Sequence, residues 1–194
     1  MADKRQKKLK KKRPEGRKAT GRKLIISDFD DTLFFTEHSI AFASHELFGV
    51  GMTRKEVRNL DKPIISKIYD LAFSKYKDNL EPNTKLMDKY ARMMTEGYEF
   101  MILSARGEQL REEVKYGLRL YDIKCEKIVL SNNDRRVSDE EWKSNFIKDY
   151  ISDYDEILFF DDKIENLNMV REKVTDSRIR HFLVDRKGEK ELKD

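Results

Sequence analysis

The run Leu24-Ile25-Ile26-Ser27-Asp28-Phe29-Asp30-Asp31-Thr32-Leu33-Phe34 decides how the rest of the chain is read. Leu24–Ser27 suit a short buried strand, and the carboxylates that begin at Asp28 follow its end. Residues two apart on an extended strand end share a side, which lets Asp28 and Asp30 face one ligand. By itself Asp-x-Asp-x-Thr is a weak signal, because aspartate is common at strand ends and in turns. Its weight depends on what the other strands end in.

Tyr98–Leu103, Lys127–Leu130, Glu156–Phe160 and Arg180–Val184 also read as short buried strands. Helical patterns lie between the later ones. In Glu108–Leu120, Leu110, Val114 and Leu118 share a face. In Asp139–Ile151, Trp142, Phe146 and Tyr150 recur at helical spacing as core residues, and Ser138 with Glu141 suits a capping box. Lys163–Val174 is the third. The alternation predicts an α/β fold: a Rossmann-like parallel sheet of about five strands with helices on both faces. About seventy residues separate the first strand from the second, more than one crossover helix needs. Thr84–Thr95 supplies that helix, while Thr36–Phe48, Thr53–Leu60 and Ile64–Tyr76 predict a small helical cap inserted at about residues 36–82 of a domain running from 24 to 194.

Open parallel sheets bind ligands beyond the carboxyl ends of their strands. The second strand leads into a turn, Ser104-Ala105-Arg106-Gly107, and the fourth into Asp161-Asp162-Lys163, with Glu165 and Asn166 close behind. Two acidic clusters and a hydroxyl-plus-arginine turn thus converge on one edge. Packed carboxylates repel, which predicts a bound hard cation beside them. Donors that are all oxygen favour Mg²⁺ over zinc.

With these motifs in order, the stretch from Leu24 to Val184 resembles the haloacid dehalogenase superfamily, most of whose members are phosphohydrolases. Leu24–Phe34 looks like its first motif, Ser104 after Phe100-Met101-Ile102-Leu103 like the second, and Asp161-Asp162 after Ile157–Phe160 like the fourth. The third motif needs a lysine near a helix start; Lys143 is the best match, and Lys148 is a rival deeper in the helix. The Ser-Ala-Arg form and the Trp142–Ile147 stretch look similar to polynucleotide-end phosphatases and RNA-repair-like members.

The resemblance implies a catalytic set of Asp28, Asp30 and Lys143. Asp28 would attack phosphorus and form an aspartyl-phosphate, while Asp30 protonates the leaving oxygen and then activates water. Mg²⁺ would sit on the Asp28 carboxylate, the Asp30 carbonyl and Asp162. Asp161 would orient Lys143 or a metal-bound water, with an exchange of roles between the two adjacent aspartates left open. Thr32, Ser104, Ala105, Arg106 and Lys143 form the implied substrate-binding set, Ser104 and Lys143 on the transferring oxygens and Thr32 chiefly hydrogen-bonding within its loop. Arg106 is either a second phosphate clamp or an exposed turn arginine. Asn166 either braces the acidic loop or is an ordinary helix residue. Dehalogenases of the family lack the second acid and its ATPases carry threonine there, so Asp30 points to phosphomonoester hydrolysis.

Charge divides the chain. Residues 1–23 carry a net charge of about +10 within an overall +4, leaving the body mildly acidic. Pro14, Gly16 and Gly21 punctuate this tail and nothing in it repeats with helical period, so it is expected to be disordered. It is either an arm for a nucleotide or nucleic acid or a solubilising or targeting segment. Arg54, Lys55 and Arg58 are either a solvated face or a patch that meets phosphate. The expected substrate is therefore a nucleotide or a nucleic-acid terminal phosphate. The alternatives are a small-metabolite phosphatase, or a nucleic-acid-binding protein on a catalytically idle fold.

Other classes find no support. No run nears the roughly 18 apolar residues of a membrane span, and no Walker or dinucleotide pattern is present. The single cysteine, Cys125, has no partner for an internal disulfide and no nearby base, and reads as structural. His38, His45 and His181 lack ligand spacing. A soluble protein of a reducing, cytoplasmic compartment is expected, with no membrane partner and no indication of oligomeric state.

Overall fold

The computed structural model describes residues 21–131 and 137–193. Its sheet is built from β1 (Lys23–Ser27), β4 (Tyr98–Gly107), β5 (Lys127–Ser131), β6 (Glu156–Asp161), β7 (Ile179–Asp185) and β8 (Gly188–Glu191), in the order β5-β4-β1-β6-β7-β8. All neighbours run parallel except β8, which returns antiparallel on β7. Alternate residues of one strand serve opposite faces, which explains runs that are apolar at nearly every position. Ile25, Phe100, Ile102, Leu158 and Phe160 pack with Leu86 and Tyr90 of α4 (Thr84–Thr95) and Val114 and Leu118 of α5 (Arg111–Leu120). Leu24, Ile26, Met101, Leu103, Ile157 and Phe159 pack with Ile147 of α6 (Asp139–Tyr150) and Leu167 and Val170 of α7 (Ile164–Lys173).

Between β1 and α4 the chain makes a two-residue antiparallel pair, β2 (Phe34–Phe35) with β3 (Glu81–Pro82). Three helices stand between those strands: α1 (Glu37–Phe48), α2 (Arg54–Val57) and α3 (Lys62–Ser74). Ile40, Ala43, Val57, Ile68, Ala72 and Phe73 give them a core of their own, which meets the sheet domain at Leu110.

Some expectations change. The expected turn at Ser104–Gly107 is a continuation of β4, with its register against β5 shifting between Ser104 and Gly107. Expected helix Thr53–Leu60 is a single turn, fixed by a complete capping box between Thr53 and Glu56. Strand β8 is an addition, and its sequence Gly-Glu-Lys-Glu carries no apolar alternation by which to find it. The aromatic face of α6 is only half-buried; its buried side is Lys143, Ser144 and Ile147.

Residues 1–20 of the expected tail lie outside the described residues. The next three are part of the domain, contrary to a tail reaching residue 23. Gly21 donates its N–H to Asp155 (2.6 Å), Arg22 pairs with Glu99 (2.8 Å) over the Tyr154 ring, and Lys23 opens β1.

Candidate active site

β1 pairs in parallel with both β4 and β6, so the three strands end side by side. This places Asp28, Ser104 and Asp161 at one edge, and the Asp28 N–H donates to the Phe160 carbonyl at 2.9 Å. Asp31 turns the chain with φ 56°, a left-handed conformation that aspartate tolerates better than most residues. Its N–H donates to the Phe34 carbonyl and its Oδ1 accepts from the Thr36 N–H and hydroxyl, which folds the loop back on itself.

Lys143, 1 % exposed, reaches in from α6 and bridges two carboxylates: Asp28 at 3.0 Å and Asp161 at 2.7 Å. Lys148 is on the exposed side of the same helix. Asp161 is fully engaged, its Oδ1 accepting from the Lys163 N–H (2.9 Å) and the Asn166 amide (2.7 Å), its Oδ2 from Lys143. Asn166 is thus a brace for the acidic loop. Asp162 differs from its neighbour: its Oδ1 is buried with no hydrogen-bond partner.

Burial pushes the Asp28 carboxyl up to about 7; the charges of Asp161, Asp162 and Asp30 add to the effect, and Lys143 opposes it. Burial, then Asp161, also raises Asp162. For Lys143, burial alone would lower the pKa, but Asp161 and Asp28 together outweigh it and the ammonium is held charged.

Asp30 is gripped by Arg106, whose Nε and Nη2 donate to its two oxygens at 2.8 and 2.6 Å. The guanidinium lies between the Phe29 ring (4.7 Å) and the Phe73 ring of the cap (3.9 Å), and its side chain is 1 % exposed. The exposed-turn reading of Arg106 is therefore overturned. Its Nη1 remains buried without a partner. Ser104 accepts from the Arg106 N–H at 3.2 Å. Thr32 is not brought to the cavity: it is buried, its hydroxyl has no hydrogen-bond partner, and its carbonyl accepts from Asn83 instead.

A cavity of about 570 Å³ separates sheet edge from cap. Asp28, Asp30, Ser104, Ala105, Arg106 and Lys143 line one side, and Arg54, Ser66, Tyr69 and Phe73 of the cap the other. A larger hollow of about 690 Å³, bordered by Asp176, His181 and Lys193, lies at the amino end of β7, the edge where parallel sheets do not place their chemistry.

Two residues of the site gain partners that the sequence did not give them. Of the two readings left open for the Arg54 patch, the solvated face holds for Lys55 and Arg58, which stay exposed, but not for Arg54, which contacts Asp31, with Asp162 at 3.6 Å. Asp31, given no role in sequence, ties the loop to the cap through Thr36 and Arg54. Phe34 and Phe35 are packing residues, and His38 and His45 are exposed. Burial raises the Cys125 thiol to about 11, and it donates to the Lys127 carbonyl.

This architecture is similar to that of solved haloacid dehalogenase-like hydrolases. A hydrolase of that family from Streptococcus pneumoniae aligns at 14 % identity with a TM-score of 0.54, over 84 % of each chain. A predicted phosphatase from Clostridium acetobutylicum aligns at 12 % identity and a TM-score of 0.60, over 82 % of this chain and 83 % of its own. A chain of the Pnkp1/Rnl/Hen1 RNA repair complex gives 17 % identity and a TM-score of 0.58 over 88 % of this chain. Only 45 % of that chain is covered, so the protein spans about half its length. No family model matches the sequence, and no curated protein matches it. Among the described residues no helix is long and apolar enough to cross a membrane.

Proposed function

We propose that the protein is a Mg²⁺-dependent phosphomonoester hydrolase that works through an aspartyl-phosphate, acting on a nucleotide or a nucleic-acid terminal phosphate. The observation that carries this reading is the Lys143 ammonium set between Asp28 and Asp161 at the carboxyl edge of the sheet. A lysine there opposes the effect of burial and so favours the carboxylate form of Asp28, and it presents positive charge to an incoming phosphate.

In the first half-reaction an Asp28 oxygen forms a bond to phosphorus as the bond to the leaving alcohol oxygen breaks, and Asp30 gives that oxygen its proton. In the second, Asp30 takes a proton from water, which attacks the phosphorus and releases Asp28 as carboxylate. Arg106 orients Asp30 throughout. It must give up one of its two contacts for that oxygen to reach the leaving group, and its unpartnered Nη1 is a donor for a phosphoryl oxygen. Ser104 and Lys143 hold the transferring oxygens.

The residues fit a hard cation. Asp28, Asp161 and Asp162 can bring three carboxylate oxygens within 4.8 Å of one another, and the unpartnered Asp162 Oδ1 calls for a positive partner. Asp28, the Asp30 carbonyl and Asp162 would hold the ion, Asp161 being committed to Lys143, Lys163 and Asn166. Bound there, Mg²⁺ offsets the repulsion between carboxylate nucleophile and phosphate.

The nucleic-acid half of the proposal draws support from the likeness to the RNA repair chain and from the basic residues 1–20. The test is phosphate release, with and without Mg²⁺, from p-nitrophenyl phosphate, mononucleotides, sugar phosphates and 5′- or 3′-phosphorylated oligonucleotides, with Asp28→Asn alongside. Release that needs both Mg²⁺ and Asp28 supports the mechanism. A ranking led by sugar phosphates moves the substrate to small metabolites, and oligonucleotide binding without release overturns the enzyme reading.

A further inference from the structure

Two arginines meet carboxylates at this site, and they do so differently. Arg106 presents its fork, two parallel N–H groups, to the single carboxylate of Asp30. That is the strong, directional way to pair a guanidinium with a carboxylate. Arg54 instead touches Asp31 through Nη1 alone, with Asp162 3.6 Å from the same nitrogen. Its Nε is buried with no hydrogen-bond partner, and so is the Oδ1 of Asp162. Asp31 already accepts two hydrogen bonds from Thr36. An arginine serving only as counter-ion to these aspartates would not be expected to leave a buried donor unused.

The backbone at Arg54 is fixed beforehand. The Thr53–Glu56 capping box closes its helical turn, and its N–H donates to Glu37 of α1 at 3.3 Å. From there the side chain extends into the cavity wall shared with Tyr69 and Lys143. We propose that Arg54 binds an oxygen of the substrate's phosphoryl group, so that the cap, and not the sheet edge alone, completes the phosphate site. This rests on the phosphatase reading above. An anionic oxygen supplies the acceptor that Nε lacks, and planar guanidinium suits phosphate in a way that a lysine does not.

The test uses the full chain with Arg54→Ala, Arg54→Lys and, as control, the exposed Lys55→Ala. Two quantities are read in Mg²⁺: KM and kcat on a phosphomonoester, and the Kd of inorganic phosphate by calorimetry. Arg54→Ala is expected to raise both KM and the phosphate Kd about ten- to a hundredfold, the scale of one lost charge-assisted hydrogen bond, with a smaller fall in kcat. Arg54→Lys keeps the charge and the pairing with Asp31, which guards the fold, yet is expected to recover only part of the affinity. Lys55→Ala is expected to match the wild type. If Arg54→Ala binds phosphate as the wild type does and its KM is unchanged, Arg54 is a counter-ion of Asp31 and Asp162 and the proposal fails. Complete rescue by Arg54→Lys would also overturn it. A wild type that releases no phosphate fails the phosphatase reading instead, and equal phosphate affinity of wild type and Arg54→Ala would then reject the Arg54 site separately.

Discussion

Asp28→Asn is expected to abolish turnover and at the same time to stabilise the metal-free protein at neutral pH. The Asp28 carboxyl lies 6 % exposed among three other aspartates, and its pKa rises from the usual 3.8 to about 7. The folded-state value is above the unfolded one, so between about pH 4 and pH 7 the native protein holds a proton that the unfolded chain has lost. The contribution of Asp28 to stability is then fully present below pH 4 and is lost as the pH rises through 7. The interval converts to roughly 4 kcal/mol at most, with the attraction of Lys143 already included. Asparagine carries no charge to desolvate, and its carbonyl can still accept from Lys143. A gain of about 1–4 kcal/mol at pH 8 corresponds to several degrees of Tm in a chain of this size, at about 2–4 °C per kcal/mol. The assay is thermal unfolding by circular dichroism in EDTA, from pH 4.5 to 8.5, on wild type and variant together. The gap in Tm should be small at pH 4.5 and widen up to about pH 7. A gap that is flat with pH, or a variant less stable than the wild type at pH 8, would refute the placing of a strained, buried carboxylate at Asp28.

Lys143→Met should act in the opposite sense, because it strands Asp28 and Asp161 in the interior. A loss of about 3–5 kcal/mol in urea unfolding is expected, together with loss of phosphate release; stability within 1 kcal/mol of wild type would count against the bridge. Asp162→Asn and Asp161→Asn should separate the adjacent aspartates. The first is expected to raise the Mg²⁺ needed for half-maximal activity by about tenfold or more with little change in Tm in EDTA, whereas the second destabilises the fold by unseating Lys143 and Asn166. Deleting residues 1–20 should weaken activity on phosphorylated oligonucleotides, most visibly at low salt, and leave p-nitrophenyl phosphate turnover unchanged; equal loss on both substrates would remove the tail from substrate binding.

The layout of the sheet was legible because each strand buried on both faces is written as an apolar run ending in polar residues. The carboxylates were legible for the same reason: Asp28, Asp161 and Asp162 interrupt such runs at the strand ends. What failed was length and context. Nothing in Ser-Ala-Arg-Gly distinguishes a strand that continues from one that turns, since the deciding factors are the pairing with β5 and the burial of Arg106 between two rings. Strand β8 is held by backbone pairing to β7 and by surface ion pairs such as Arg180 with Glu191 (2.8 Å), which leave no periodic trace. The aromatic spacing in α6 correctly marked one helix face, but the buried face is the one carrying Lys143, and a buried lysine looks polar in any pattern of hydrophobicity.

The cations are harder to read from sequence than the acids, for a reason of geometry. Aspartate is short, so its position is set by the backbone it stands on, and a strand end fixes that backbone. Lysine and arginine reach several ångströms, and any of several elements can deliver them to the same point. Here three elements do so: Lys143 comes from α6 to Asp28 and Asp161, Arg106 from β4 to Asp30, and Arg54 from the cap to Asp31 and Asp162. Every carboxylate of the cluster thereby has a cation near it, and no two of these cations share a source. The consequence is mechanical as well as electrostatic. Arg54 belongs to the cap outright, and Arg106 stacks on Phe73 of α3, so a displacement of the cap would disturb the partners of Asp30, Asp31 and Asp162 together while leaving Lys143 on Asp28. The proposed nucleophile, Asp28, is thus paired within the sheet domain, whereas the cations beside Asp30 and Asp162 answer to the cap. A cap variant such as Phe73→Ala should therefore shift the pH dependence and Mg²⁺ dependence of activity while sparing the Asp28–Lys143 pair, visible as an unchanged pH dependence of Tm in EDTA.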